Sequence, residues 1–134
     1  MTKREKGVGV TTILVVDDET ELIIILKNFL RRQGLSVVGV ESGKAALKIL
    51  EAKDSKIDLV ILDMKMPGIK GITVIEKMKE NNINLPVIVV TGSLNYSGFV
   101  ERMLELGYSE NDILFKPISL FSLLTLIYKK LGTK

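Results

Sequence analysis

Five residues could do chemistry together if the fold brings them to one place: Asp17, Asp18, Asp63, Thr91 and Lys116. Each ends or directly follows an apolar run of strand length: "TILVVD" (12–17), "DLVILD" (58–63), "PVIVVT" (86–91) and "DILF" (112–115). Three carboxylates a few ångströms apart repel by roughly 4 kcal/mol per close pair at an effective dielectric near 20, so something must compensate. A divalent cation does so. The chain has no cysteine and no histidine, so its ligands are oxygens. Such a small oxygen set suits Mg²⁺, which keeps several waters and takes phosphate oxygens in its remaining positions. Lys116 adds a point charge on the other side. A metal and an ammonium facing an accessible carboxylate make a site at which Asp63 attacks phosphorus while the cations neutralise the transferring group. Taken singly, each feature has an ordinary reading: Asp17-Asp18-Glu19 as helix capping, Asp63 as a turn residue, Thr91-Gly92-Ser93 as a strand-to-helix loop, Lys116-Pro117 as a helix start. Their joint placement is what favours chemistry.

The elements that must position these residues are legible. A further apolar run, "SVVGV" (36–40), completes five strands, and between them lie segments of helical period at about 19–33, 43–53, 70–81, 97–107 and 118–131. Near-continuous Val, Ile and Leu in the strands is what burial on both faces demands, and strand–helix alternation makes an α/β doubly wound sandwich, a flavodoxin-like (βα)5 fold with its parallel sheet in the order 2-1-3-4-5. In that order the first and third strands are neighbours, and the C-terminal strand ends share one edge. Asp17, Asp18 and Asp63 then converge. Asp18 and Glu21 have the spacing of a capping box, and Gly34 is placed to close the first helix in a left-handed conformation. Leu120, Leu123, Leu124, Ile127 and Leu131 give the last helix a buried face; Leu22, Ile25, Leu26 and Phe29 do so for the first, leaving Ile24 exposed.

Composition bounds the rest. The 134 residues fit one domain, 12–134, able to bury roughly two-thirds of its unfolded surface, preceded by a mobile basic tail, 1–11. Hydrophobic residues at 46% and charged residues at 26% exclude a disordered chain. The lack of Cys and His excludes disulfide frameworks, Cys/His zinc sites, Ser-His-Asp triads and a phosphohistidine on this chain. Of the net charge of +3, Lys3, Arg4 and Lys6 against Glu5 put +2 in the tail; the nearly neutral body has no basic face for direct nucleic-acid binding. The run "ILVV" meets "DDE" too early for a signal peptide, and none approaches the roughly 18 apolar residues that span a membrane, so no membrane association and a cytoplasmic location are expected.

With these residues in hand, the sequence resembles the receiver domain of two-component response regulators over about Ile13 to Leu131. The matching motifs are "ILVVDDE" with Asp17 and Asp18, "DLVILDMKMPGIKG" with Asp63, Pro67, Gly68 and Gly71, "PVIVVTG" with Thr91, and "LFKP" with Lys116 and Pro117. The resemblance implies a signalling phosphoacceptor that assists its own phosphorylation and dephosphorylation. Asp63 would take a phosphoryl group from a phosphohistidine on a sensor histidine kinase or phosphotransfer protein. Asp17 and Asp18 would hold Mg²⁺ with Asp63 and the backbone carbonyl of Lys65, Thr91 and Lys116 would contact the phosphoryl oxygens, and the Lys116–Pro117 peptide would be cis. A shift of Thr91 would repack the surface of the fourth helix, fifth strand and fifth helix, where a downstream partner, an attached output domain or a second copy of the chain would be engaged. The first helix would dock the histidine-bearing partner, and Lys65, two positions after Asp63, would tune hydrolysis. Two departures stand out. Ile113 occupies the place where the family carries an aromatic residue, with Phe115 expected on the opposite face, and the Thr91–Lys116 segment is a few residues longer than the pattern.

Other readings remain open on the residues alone. A pseudo-receiver that binds partners without phosphate would lack an acidic residue or the lysine; both are present. A Mg²⁺-dependent aspartyl-phosphate phosphatase of the haloacid dehalogenase type wants a second Asp two residues after the nucleophile, where this chain has Lys65. A flavodoxin-like carrier of FMN wants a Ser/Thr/Gly-rich loop after the first strand, where "DDET" would repel the phosphate. Phe121 and Tyr128, a heptad apart at the edge of the last helix's buried stripe, suggest a partner or dimer contact.

Overall fold

The strands form because their residues can be buried against helices, and the computed structural model, which describes residues 10–92 and 97–132, buries the three central strands on both faces and the two edge strands in part. In chain order the elements are β1 (Thr12–Val16), α1 (Thr20–Arg32), β2 (Ser36–Val40), α2 (Gly43–Leu50), β3 (Leu59–Asp63), α3 (Gly71–Glu80), β4 (Val87–Thr91), α4 (Ser97–Glu105), a 3₁₀ turn (Glu110–Asp112), β5 (Ile113–Phe115) and α5 (Leu120–Leu131). All strand pairs are parallel, in the order β2-β1-β3-β4-β5. This is the expected doubly wound sheet.

Alternation along the strands sorts the core into two layers. Ile13, Val15, Leu59, Ile61, Ile88 and Val90 meet α1 and α5 through Ile23, Leu26, Leu30, Leu123 and Ile127. Leu14, Val16, Val60, Leu62, Val87 and Val89 face the other way, onto Ala46, Leu47 and Leu50 of α2, Val74, Ile75 and Met78 of α3, and Val100 and Met103 of α4. No described helix is long and apolar enough to cross a membrane.

Several local expectations hold and several change. Gly34 has φ +88° and donates to the Arg31 carbonyl, while Leu35 donates to that of Leu30; these two bonds close α1 as a Schellman motif. The expected Asp18–Glu21 capping box does not form. Asp17 Oδ1 accepts the Glu19 N–H at 2.8 Å, and that turn makes Glu19 the N-cap residue, without a side-chain cap bond. The buried stripe of α1 is Ile23, Leu26 and Leu30, with Leu22 and Phe29 partly buried; Ile25 is as exposed as Ile24. On α5, Leu123 and Ile127 are fully buried, Leu120, Leu124 and Leu131 partly so, and Ser119 caps the helix by accepting the Ser122 N–H. Residues 1–9 of the expected tail lie outside the described residues, as does Ser93; the Thr11 carbonyl already accepts the Ser36 N–H.

Gly71 fixes the loop that follows Asp63. It starts α3 against that loop, its N–H donating to the Met64 carbonyl. A Cβ here would lie 2.6 Å from the Asp63 carbonyl oxygen and 2.9 Å from Met64 Cα. Backbone cannot yield as a side-chain tip can. Gly71→Ala is therefore expected to lose about 1–3 kcal/mol, outweighing alanine's helix preference of about 1 kcal/mol. Urea denaturation measures this, and a variant as stable as the parent would show that the loop can open freely.

Candidate functional site

Register carries the functional residues to one edge. Val16 pairs with Leu62, so Asp17 and Asp63 leave β1 and β3 at the same level; Asp63 pairs with Val90, and Thr91 with Phe115. The Lys116 N–H donates to the Thr91 carbonyl at 2.9 Å, and the Lys116–Pro117 peptide is cis. Four separate strand ends thus deliver three carboxylates, a hydroxyl and an ammonium.

Asp17 and Asp63 are each only 3% exposed, while Asp18 is exposed. One carboxylate oxygen from each of the three lies within 4.8 Å of the others. Two turns hold the carboxylates: Asp17 Oδ1 accepts from the Glu19 N–H, and Asp63 Oδ1 from the Lys65 N–H at 3.2 Å. Lys116 Nζ is their shared counter-charge, 3.1 Å from Asp17 Oδ2, 3.5 Å from Glu19 Oε1 and 3.7 Å from Asp63 Oδ2. A crevice of about 370 Å³ opens here, lined by Asp18, Glu19, Asp63, Lys65, Gly92 and Lys116. Thr91 is fully buried at the end of β4 and is not among the lining residues.

Burial, the largest influence, pushes the Asp63 carboxyl up to about 6; the Lys65 N–H and Lys116 pull it down, and Asp17 and Asp18 push it up. Burial works against the Lys116 ammonium too, but its bond to Asp17 and the charges of Asp63, Asp17 and Glu19 prevail and raise its pKa. Lys116 thus pairs with two of the three clustered carboxylates, and the all-oxygen set fits a hard divalent cation.

All six residues expected at the site lie at this edge, with Thr91 below the open crevice. Glu19, read only as part of a capping run, also reaches Lys116; its position directly after Asp18 was its only signal. Beside the crevice, a groove of about 580 Å³ runs between α1 and the β5–α5 loop, lined mainly by Leu22, Ile25, Pro117, Ile118 and Leu120 and sharing Glu19 and Lys116 with the crevice. Of the two α5 residues expected at a partner contact, Phe121 is 78% exposed, whereas Tyr128 is partly buried against the α1–α5 layer. Ile113 packs into the α4 layer and Leu114 against the opposite one. Phe115, two positions from Ile113, returns to the Ile113 side by strand alternation, contrary to the expectation that it faces away.

The family described as the response regulator receiver domain matches residues 13–128. The response regulator SaeR of Staphylococcus epidermidis is 32% identical over 109 residues, which cover 81% of this chain and 45% of that protein. The alkaline phosphatase synthesis transcriptional regulatory protein PhoP of Bacillus subtilis is 32% identical over 107 residues, 80% of this chain and 42% of that one. The chain therefore spans less than half the length of these curated relatives. Among solved structures, the signal receiver domain of a putative Luxo repressor protein from Vibrio parahaemolyticus gives a TM-score of 0.81 at 30% identity, covering 92% of both chains. A CheY-like receiver domain protein from Methanospirillum hungatei gives 0.83 at 26%, covering 92% of this chain and 95% of its own.

The raised carboxyl has a thermodynamic consequence in the metal-free protein. Asp63 binds its proton more tightly folded, at about 6, than at the unstructured value of 3.8, so its contribution to stability is fullest below the lower value and is lost as pH rises through the higher one. Asp63→Asn should stabilise the metal-free protein at about pH 7.5 by about 1 kcal/mol, a figure held down by water at the crevice mouth, and raise Tm by about 3 °C. The gain should vanish near about pH 4. Thermal melts in chelator across this range check it; a gain independent of pH would assign the effect to packing.

Proposed function

The chain belongs to the response regulator receiver domain family, and on that premise we propose that residues 12–134 act as a phosphoacceptor, with Asp63 receiving a phosphoryl group from a phosphohistidine on a sensor kinase or phosphotransfer protein. The observation that carries this reading is the ammonium of Lys116 shared between two buried carboxylates at one sheet edge, beside an open crevice.

A carboxylate oxygen of Asp63 attacks phosphorus in line, a P–O bond forms, and the donor's P–N bond breaks. The imidazole leaves with that electron pair and takes up a proton. Lys65 supports the attack by donating its N–H to the other Asp63 oxygen, which orients the nucleophile. Lys116 lies close enough to meet the negative charge that develops on the phosphoryl oxygens, and it stays protonated to do so. Thr91, one residue from the β4 partner of Asp63, offers a hydroxyl to the same oxygens after a small movement. Asp17, Asp18, Asp63 and the Lys65 carbonyl would hold Mg²⁺, which when bound neutralises the carboxylates and polarises the phosphoryl group.

The β5–α5 segment begins at Lys116, and the surface of α4, β5 and α5 is the output in this reading. It would engage a downstream partner, an output domain on a longer polypeptide or a second copy of the chain. Exposed Leu104, Phe115 and Phe121 support its use for contact. Exposed Ile25 in the groove beside the crevice supports packing of a histidine-bearing partner there, in the cytoplasm, where such partners present their histidines.

Intact mass after incubation with Mg²⁺ and acetyl phosphate tests the chemistry. A gain of about 80 Da is expected in the parent, with none in Asp63→Asn and none in chelator. Mass gained equally by Asp63→Asn would move the acceptor elsewhere, and no gain in the parent would count against the reading.

A further inference from the structure

Resting on the phosphoacceptor reading, we infer that Glu19 is a positioning residue: its carboxylate holds the Lys116 ammonium at the crevice rim and thereby restrains acceptance of a phosphoryl group by Asp63. Three carboxylates touch Lys116 Nζ, and two of them, Asp17 and Asp63, belong to the cluster suited to a metal. The third, Glu19, lies outside that cluster, and its side chain makes no helix-capping bond. Its only described side-chain partner is Lys116, at 3.5 Å.

The way Glu19 is held fits a restraint. Its backbone is pinned, because its N–H donates to Asp17 Oδ1 at 2.8 Å. Its side chain is 61% exposed and free to move away. The Lys116 side chain is only 19% exposed, so its ammonium has few alternative positions. A cation drawn toward Glu19 is drawn away from the centre of the crevice. When a dianionic phosphoryl group arrives on Asp63, Lys116 must turn to it and give up Glu19, whose carboxylate would otherwise face like charge. Glu19 thus competes with the phosphoryl group for one ammonium. Because Glu19 and Lys116 also form the common wall between the crevice and the α1 groove, the competing pair sits where a donor bound in the groove would reach the crevice.

A simpler role for Glu19 is a negative charge at the N-terminus of α1, favourable through the helix dipole and independent of Lys116. One methylene separates the two roles. Glu19→Asp keeps the charge at the helix start but withdraws the carboxylate from Lys116; Glu19→Gln removes the charge and keeps the reach.

Two measurements on parent and both variants test the inference. The first is the order parameter of the Lys116 side-chain methylenes by NMR in metal-free protein, which needs no phosphorylation. Both variants should loosen Lys116. The second is the rate of mass gain with Mg²⁺ and acetyl phosphate, expected to rise about twofold to fivefold in both variants, the range an exposed ion pair supports. Unchanged Lys116 order in both variants would overturn the inference whatever happens to the rate. Acceleration in Glu19→Gln alone would reassign the effect to general repulsion of an anionic donor and overturn it equally. A parent and variants that all fail to gain mass would instead bring down the phosphoacceptor reading, and this inference with it.

Discussion

Three carboxylates crowded at one edge of a parallel sheet are the constraint on which the rest of this structure depends. Their mutual repulsion is tolerable because Lys116, two backbone N–H groups and an opening to water each offset part of it. Every one of those groups is placed by register. A shift of one residue in β3 against β1 would point Asp63 into the opposite layer of the core, away from Lys116. The continuous burial of Val and Ile on both faces of β1, β3 and β4 is therefore what assembles the site, since it fixes the register that brings the charges together.

The same crowding explains why Asp63 is a poised group. A carboxyl group buried among apolar strands and beside two like charges carries a raised pKa, so ionising it here costs more than it would in water. Covalent attack needs the ionised form. On the phosphoacceptor reading, the charge that Mg²⁺ would bring to this site would stabilise the anion that attacks. Lys116 cannot supply this alone, because it is shared among Asp17, Glu19 and Asp63.

How much of this was legible in the sequence follows from which contacts are local. The five strands read clearly because burial on both faces leaves an unbroken apolar run, and Asp17, Asp18, Asp63, Thr91 and Lys116 read clearly because each ends or follows such a run. Helix phase was harder. In α1 the stretch "LIIIL" offers apolar residues on most sides, and it is the docking of the helix on the sheet that buries Ile23, Leu26 and Leu30 and leaves Ile25 out. The Asp18–Glu21 spacing had a capping form, but the Asp17 carboxylate takes the Glu19 N–H first, a preference set by where β1 ends. Glu19 itself was unreadable as more than a cap residue, because its partner Lys116 arrives from the far end of the chain.

The fifth strand departs furthest from the family pattern, and its register shows how. Ile113 fills the place of the usual aromatic residue and is buried in the α4 layer, so it is packing and not a surface side chain. Phe115 is the register partner of Thr91, and partners on adjacent parallel strands project to the same face. The aromatic side chain nearest Thr91 along β5 is therefore Phe115, itself 41% exposed. The ring is half in solvent at the sheet edge. In this chain the buried hydroxyl and the outer surface adjoin through a neighbouring strand position.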